Sequence, residues 1–397
     1  MFSSLKVKHF RIYWLGMLVS LIGTSMQFVA QSWLVFQLTN SAFLLGVVGF
    51  LGSIPIFVFS LFGGVLADRV NKRNILIFTQ IAFMFLAFLL AVLTQFQLIN
   101  PQQIMFIALL NGIIMAFDAP ARQSIVVELV GKKHLFNAIT LNSVAFNSSR
   151  IIGPAIAGVF ISVIGMSGCF YLNGVSFLAV IAALFWIKLG RSIMENNNSA
   201  FKDLKEGLVF ISCNLSILGL LSMVAVMSLF GISYIILMPV FASNVLQVGV
   251  RGLGVLMSSI GLGALIGSLI LARLGDFKYK GKLLIWSAFL SALLLINFSL
   301  SRNYIWAIVS LVCLGCISVP VTAIINSLLQ ITVPDAFRGR VMSLFMITFA
   351  GIMPFGSLIS GSLAQVLGVS VALFLCGLVC FVLFTLINLF FPELKKL

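Results

Sequence analysis

Residues 64–73 read GVLADRVNKR, a short charged stretch set between two long apolar segments. Gly64 can let two membrane helices approach closely, and Asp68 can accept hydrogen bonds from a neighbouring helix N-terminus or an arginine. Three cations complete the stretch, at Arg69, Lys72 and Arg73. A loop that merely faces the cytoplasm would account for the cations, but it would not account for an acid placed four residues after a glycine.

The composition of the whole chain is that of a membrane protein. Of its 397 residues, 61% are hydrophobic and only 8% are charged, whereas soluble domains are about a quarter charged. Uncharged stretches such as 12–67, 74–117 and 341–392 are each long enough for two transmembrane helices and a turn. The basic start of the chain is typical of a signal peptide, but the apolar run that follows is too long, so we interpret it as the first span.

Apolar stretches and turn signals predict twelve transmembrane helices. Very short turns, such as LTNS and QLINPQ, separate many of them, and the only sizeable polar stretch, residues 190–207, lies in the middle of the chain. The predicted spans are 12–36, 43–67, 74–95, 102–126, 135–163, 168–189, 215–243, 252–273, 283–300, 304–331, 340–364 and 369–391.

The net charge of +15 is a topology signal and does not indicate nucleic-acid binding. All but four of the 24 lysines and arginines lie at the termini or in alternate loops and their edges. This is the positive-inside pattern, which places both termini in the cytoplasm of a bacterial inner-membrane protein and requires an even number of spans. The four exceptions are Arg122, Arg150, Arg251 and Arg302.

The two halves of the chain repeat at a shift of 203 residues. Five pairs of glycines obey this shift: Gly64 and Gly267, Gly112 and Gly315, Gly153 and Gly356, Gly158 and Gly361, and Gly165 and Gly368. Six spans per repeat preserve orientation, so we expect parallel repeats with a substrate site at their interface and alternating access. The predicted domains are a six-helix half at 1–189, a cytoplasmic linker at 190–214 with an amphipathic helix, and a six-helix half at 215–397.

The stretch at 64–73 resembles the signature loop of the major facilitator superfamily, Gly-x-Leu-x-Asp-Arg-x-Gly-Arg-Arg, with Asn71 in place of the later glycine. Asparagine is the next residue most tolerant of a left-handed backbone. The segments APARQSIVVELV, RIIGPAIAG and VPDAFRGRVMSL are similar to the enterobactin-exporter and macrolide-efflux branch. The resemblance implies an all-α fold of two six-helix repeats that works as a monomer. It also implies a gating loop at 64–73 and efflux of an amphipathic small molecule, siderophore or drug-like, by proton antiport.

Ionisable residues deep in a span mark candidate functional sites, because burying one is expensive. In the fourth span Asp118 and Arg122 are four residues apart and share a helix face with Asn111. In the fifth span Arg150 lies on a small, polar face with Asn147, about 22 Å from the inner end at 1.5 Å per residue. Two roles stay open for Arg150: it contacts the substrate, or it pairs with Asp118 in a structural network.

The candidates for proton coupling are few. Asp118 is the sole acid well inside a span and is our first candidate, and Glu128, at the inner end of the fourth span, is the second. Gln27 and Gln31 share one face of the first span, and they can bind substrate or a neighbouring helix but cannot titrate. In the fifth span, Gly153, Pro154 and Gly158 partly match the antiporter signature and predict a helix that packs tightly or bends.

The remaining residues exclude several other classes of protein. No Gly-x4-Gly-Lys-Ser/Thr phosphate loop occurs, only two histidines are present, and the six cysteines do not form a metal-binding set, so we expect no enzyme, metal or cofactor. Two alternatives to efflux of a drug or siderophore are a lysophospholipid flippase and, in a different class, a non-transporting receptor. The excess of arginine over acid in the spans favours an anionic amphipath as the substrate, with protons and membrane lipids as the other partners.

Overall fold

The structure is a computed structural model that describes residues 3–187, 210–211, 214–275, 277 and 279–397. Apart from side chains at a few positions, these residues are described in full, and they form long apolar helices joined by short turns. The helices with uninterrupted bounds are α1 Lys8–Thr39, α2 Ala42–Arg69, α3 Lys72–Gln95, α8 Gly249–Leu274, α9 Lys280–Ser299, α10 Tyr304–Thr332, α11 Asp335–Leu367 and α12 Val369–Phe390.

Two further stretches complete the set of spans. The helical stretch Pro101–Trp186 contains two residues with non-helical backbone, Gly131 (φ 65°) and Gly165 (φ 74°), which divide it into α4 (101–130), α5 (132–164) and α6 (166–186). Only glycine adopts such angles without strain. The stretch Leu215–Val245, here α7, is long and apolar enough to cross a membrane and includes two π-helical segments, Met227–Gly231 and Phe241–Val245.

The twelve spans predicted from the sequence are all present among the described residues, each within a few residues of its predicted position. Most observed helices are longer than predicted. For example, α1 begins at Lys8 and α11 at Asp335, because the polar residues that flank an apolar run continue the helix beyond it. Hydropathy marks the apolar part of a helix, and the backbone hydrogen bonds extend past it.

The chain divides into two compact units. The first comprises Met1–Asn40, Leu51–Asn197 and Gly249–Ser258, and the second comprises Ser41–Phe50, Asn198–Val248 and Ser259–Leu397. The core of the first unit includes Phe10, Tyr13 and Ile125, and that of the second includes Val321, Ile325 and Phe384. Most of the linker predicted at 190–214, with its amphipathic helix, lies outside the described residues.

Four of the five glycine pairs have matching environments in the structure. A Cβ on Gly112 would lie 2.5 Å from the Gly52 carbonyl oxygen in α2, and one on Gly315 would lie 2.3 Å from the Ile260 oxygen in α8. In the same way, Gly153 and Gly356 approach α1 and α7, and Gly158 and Gly361 approach Gly254 and Gly46. Gly165 and Gly368 both have positive φ where one helix turns into the next. The 203-residue shift therefore reproduces helix contacts as well as sequence.

The fifth pair differs, and it corrects the role expected for Gly64. A Cβ on Gly64 would meet no atom within 4 Å, whereas one on Gly63 would lie 2.1 Å from the Ala116 carbonyl oxygen in α4. In the second repeat Gly267 makes the close approach, 2.0 Å from the Cys316 oxygen. The contact between the two helices is thus shifted by one residue between the repeats, which the sequence alignment could not show.

This difference predicts opposite effects for the same substitution at the two aligned glycines. We expect Gly267→Ala to destabilise the protein by about 1–3 kcal/mol, because the new methyl group must displace the α10 backbone. We expect Gly64→Ala to be neutral or slightly stabilising, because it fills open space and alanine favours a helix. Thermal unfolding of the two variants in the same detergent measures the difference, and equal melting temperatures would contradict it.

Candidate functional site

Asp118 in α4 is fully buried and bonded on both carboxylate oxygens. The Thr79 hydroxyl and the Gln80 amide nitrogen of α3 each lie 2.8 Å from Oδ1. Arg122, one turn along α4, donates to Oδ2 from Nε at 2.9 Å and from Nη2 at 2.7 Å. The carboxylate is therefore paired within α4 and tied to α3, as expected for an acid and an arginine at this spacing. Arg122 is the cation that neutralises the Asp118 carboxylate.

Arg150 in α5 has no such partner. Its guanidinium carbon lies 5.9 Å from the centroid of the Phe146 ring, a cation–π contact one turn away. No hydrogen bond or ion pair engages this guanidinium within the described part of the chain. Asp118 pairs with Arg122, so it does not account for Arg150. A partly exposed arginine inside a span, stacked on an aromatic ring, retains its N–H donors for another acceptor.

Packing against α1 fixes the direction in which Arg150 faces. The indole nitrogen of Trp14 donates to the Leu141 carbonyl oxygen at 3.1 Å, and Ser25 bonds Ser149. Ser149 is buried on this contact, and Arg150 follows it about 100° further around the helix. The face of α5 that bears Arg150 is consequently not the face that α1 covers.

Other exposed side chains share the Arg150 face at spacings of three and four residues. Phe136 is 86% exposed and Ile139 is 54% exposed, and Ser143 and Phe146 continue the same face. Asn147 donates its amide to the Ser143 carbonyl oxygen within the helix at 2.9 Å. The face thus combines apolar rings, small polar groups and a cation that no described residue pairs.

The stretch at 64–73 is held to two neighbouring helices. Lys72 forms an ion pair with Glu128 at the end of α4. Arg73 donates from Nε to the Leu184 carbonyl oxygen at 2.7 Å and from Nη2 to the Phe185 oxygen at 3.2 Å, which satisfies carbonyls at the end of α6. Glu128, our second candidate for proton binding, is therefore engaged by the loop.

Asn71 has a different role from the one expected. Its backbone is extended, with φ −60°, and its side chain accepts a hydrogen bond from the Arg73 backbone nitrogen as the N-cap of α3. A left-handed backbone is not used here, and the residue replaces the glycine of the family pattern because a cap stabilises the helix start. The Asp68 and Arg69 side chains lie outside what the structure describes.

The polar residues of the other spans are bonded mainly to their own or adjacent helices. Gln27 accepts from the Asn173 amide of α6 at 2.7 Å, with both side chains buried. Asn111 donates to the Ile107 carbonyl oxygen of its own helix at 3.0 Å, and Gln31 is partly buried in α1. Of these three, Gln27 is the one for which the structure describes a hydrogen bond to another helix.

The glycines and the proline of α5 serve close packing. A Cβ on Gly153 would lie 2.5 Å from Ser25 Cβ in α1, and one on Gly158 would lie 3.2 Å from Gly254 Cα in α8. The backbone keeps helical angles at Pro154, since the non-helical angles in this stretch fall at Gly131 and Gly165. Of the two roles predicted for this segment, packing is the one that the contacts display.

The model of the transmembrane secretion effector family matches residues 1–396, which is nearly the whole chain. The chain belongs to this family of major facilitator transporters. Its family and curated relatives are membrane transporters and not enzymes, and it is a multi-pass membrane protein. The efflux branch that the sequence resembled is thereby confirmed.

Three of its curated relatives are named as efflux or siderophore proteins. It is 27% identical to the staphyloferrin A transporter of Staphylococcus aureus, over 86% of each chain. It is 24% identical to macrolide efflux protein A of Streptococcus pyogenes, over 93% of this chain and 92% of the relative, and 25% identical to the enterobactin exporter of Shigella flexneri, over 85% and 80%. The relatives transport chemically different molecules, so the relationship defines the class of protein and leaves the substrate open.

Solved structures confirm the fold of two parallel six-helix repeats. A bacterial homologue of the human lysosomal transporter Spinster matches with a TM-score of 0.76 at 12% identity, over 98% of each chain. A D-xylose–proton symporter matches with a TM-score of 0.76 at 15% identity, over 97% of this chain and 99% of that one. Identities this low show the shared fold alone.

Sequence reasoning found the charged residues of the site and missed their uncharged partners. Thr79, Gln80 and Asn173 each bond a residue that was predicted, yet none was singled out. Each is a polar side chain inside an apolar run, and that signal was available in the sequence. Which of them face Asp118 or Gln27 depends on the rotation of the helices, which periodicity in these nearly uniform apolar spans does not reveal.

The repeat supplies a direct test of what the Asp118–Arg122 pair contributes to stability. The positions 203 residues later are Val321 and Ile325, both fully buried in the apolar core of the second unit. We expect Asp118→Val alone to destabilise the protein by about 3–5 kcal/mol, because it strands the Arg122 charge. The double variant Asp118→Val/Arg122→Ile should recover most of that loss, because it removes both charges together. The measurement is the melting temperature of each variant in detergent. A double variant that melts below the single variant would contradict the expectation.

Proposed function

We propose that the chain exports an anionic amphipathic small molecule across the bacterial inner membrane in exchange for protons, by alternating access. The observation that carries this proposal is the contrast between two arginines in the spans. Arg122 is neutralised by Asp118, whereas Arg150 has no partner among the described residues. Placing an unpaired cation inside the membrane costs free energy, and a bound substrate anion would offset that cost.

The surroundings of Arg150 support an amphipathic ligand. The guanidinium fork can bond a carboxylate or a similar planar anion through two parallel N–H groups, while the Phe146 ring supports it from one side. Exposed rings and aliphatic side chains along the same face, such as Phe136 and Ile139, offer contact area to the apolar part of the molecule. A siderophore-like or drug-like anion combines both parts.

Charge placement supports the orientation. With the lysines and arginines of alternate loops in the cytoplasm, both termini are cytoplasmic. In this orientation the loop at 64–73 and its partner Glu128 lie at the inner face, and Asp118 lies nearer to that face than Arg150 does. The loop is proposed as a gating element, and the halves 1–189 and 215–397, with the linker at 190–214, are the proposed domains of a monomer.

Asp118 is the proposed proton carrier. Its carboxylate is the one buried acid in the spans as far as the structure describes them, and Glu128 is engaged by Lys72. A proton that binds Asp118 must displace an N–H of Arg122 from the carboxylate, which frees part of the Arg122 guanidinium. Proton binding therefore opens the Asp118–Arg122 pair, and proton release closes it again.

Removal of the Arg150 charge should weaken substrate binding far more than turnover. We expect Arg150→Ala to raise the KM for export by about tenfold or more, the equivalent of a charged hydrogen bond lost. Arg150→Lys should recover little, because lysine keeps the charge but loses the fork. The measurement is efflux of enterobactin, staphyloferrin A and a macrolide from cells that lack their own exporters.

The matched control is Arg302→Ala, which removes an exposed cation from the turn between α9 and α10. Its KM should equal that of the unchanged protein. If Arg150→Ala exported every transported compound with an unchanged KM, the proposed binding role of Arg150 would be wrong.

Substitution of the proposed proton carrier should uncouple transport from the pH gradient. We expect Asp118→Asn to abolish the acceleration that a pH gradient gives in inverted membrane vesicles, because the amide cannot bind and release a proton in this range. Glu128→Gln should keep that acceleration. Full pH-driven transport by Asp118→Asn would exclude Asp118 as the carrier.

A further inference from the structure

Three polar atoms beside Asp118 are buried and lack hydrogen-bond partners among the described residues. They are the Tyr13 hydroxyl of α1, the Gln80 carbonyl oxygen Oε1 of α3, and Nη1 of Arg122. Buried polar groups in proteins are nearly always bonded, and each one left unsatisfied costs about 1–3 kcal/mol. Each of these atoms, on three different helices, therefore calls for a partner.

Two of the three atoms belong to side chains that bond the Asp118 carboxylate, and the third lies in the same part of the first unit. Gln80 and Arg122 each bond Asp118 through their other polar atoms, so Oε1 and Nη1 belong to groups already fixed against it. The fully buried Tyr13 packs in the same cluster as Ala121, the residue next to Arg122 in α4. Around them the core is apolar, with Phe10, Leu76 and Ile125 in the same cluster.

The donors and acceptors left over select the ligand. Nη1 offers N–H donors, Oε1 is an acceptor, and the Tyr13 hydroxyl can do either. A metal cation would be repelled by Arg122, and an anion would meet the Gln80 oxygen and the Asp118 carboxylate. A water molecule accepts from Nη1, donates to Oε1 and bonds the hydroxyl, and buried waters make two to four such bonds.

We infer that Tyr13, Gln80 and Arg122 hold a bound water beside Asp118, and that this water passes protons to and from the carboxylate. Tyr13 is a positioning residue, since it acts through the water. This inference rests on the proposed function in one respect, because it assumes that Asp118 is the proton carrier. The water site itself follows from the three unpartnered atoms alone.

Comparison with the second repeat indicates that the polar network around Asp118 serves function more than folding. The positions that correspond to Tyr13, Gln80, Asp118 and Arg122 are Ser216, Leu283, Val321 and Ile325. Val321 and Ile325 are packed in an apolar core on helices of the same type. Since one repeat is built without the charges, helix packing does not require them.

The bound water donates one of its protons to an oxygen of the Asp118 carboxylate while it accepts a proton from an incoming hydronium ion. The carboxylate becomes a neutral carboxylic acid, both waters end neutral, and no cation rests at the site beside Arg122. The Arg122 guanidinium keeps its charge, and in the reverse step the water takes the proton back. The titratable or charged groups that face Asp118 are Arg122 from α4 and Tyr13 from α1, since the α3 groups Thr79 and Gln80 do not titrate.

The first arm of the test is structural. A density map of the full chain in lipid nanodiscs, at a resolution that shows ordered water, should contain a peak within hydrogen-bond distance of Tyr13 Oη and Arg122 Nη1. In the Tyr13→Phe variant that peak should be weakened or lost. A map of the unchanged protein that resolves other buried waters but none here would overturn the inference, whatever the transporter carries.

The second arm measures transport in proteoliposomes. The probe is whichever of enterobactin, staphyloferrin A and a macrolide the efflux assay shows to be exported. We expect Tyr13→Phe to slow pH-driven transport by about tenfold or more, as for loss of a positioned proton-transfer group, and to leave exchange of labelled for unlabelled compound at equal pH unchanged. The control Tyr171→Phe removes a hydroxyl that bonds Gln95 at an exposed site and should alter neither rate.

The outcomes separate this inference from the proposed function. Equal loss of pH-driven transport and of exchange would show that Tyr13 is only structural, and an unaffected pH-driven rate would show that its water does not carry the proton. Either result overturns the inference while the unchanged protein still transports with the gradient. If the unchanged protein shows no pH-driven transport, the proposed proton coupling fails instead, and with it the role of the water as a proton carrier.

Discussion

The Asp118 carboxylate determines the electrostatics of the first unit. It is buried among apolar side chains, where an unpaired charge is hardly tolerated, and it accepts hydrogen bonds from Thr79, from Gln80 and from Nε and Nη2 of Arg122. Because those interactions occupy both oxygens, no acceptor remains there for Arg150. In agreement with this, the Arg150 guanidinium in α5 forms no ion pair among the described residues.

The positions of the spans could be predicted from the sequence because transfer into lipid depends mainly on composition. A run of about twenty apolar residues must be a helix in a bilayer, so hydropathy identifies it without knowledge of its neighbours. The pairing of Asp118 with Arg122 was predictable for a similar reason, since residues four apart on one helix always meet. Both inferences use information that lies within a single element.

Contacts between different helices could not be predicted from the sequence. Gly63 and not Gly64 approaches α4, and Asn173 bonds Gln27, because the rotation of each helix is set by packing over its whole length. A spacing of one residue changes the direction of a side chain by about 100°, so a family motif alone could not assign the contact. Asn71 illustrates the same limit, since its substitution for glycine could indicate either a left-handed residue or a helix cap, and the structure shows the cap.

The comparison of the two repeats separates what the fold needs from what transport needs. Glycines that permit close helix contacts recur at the same positions in both halves, and four of the five pairs keep the same type of contact or turn. The charges inside the spans do not recur: Asp118, Arg122 and Arg150 align with Val321, Ile325 and Met353. A stability requirement would act on both halves alike, because their helices face the same solvent and pack by the same rules. Charges confined to one half therefore reflect a task performed by that half.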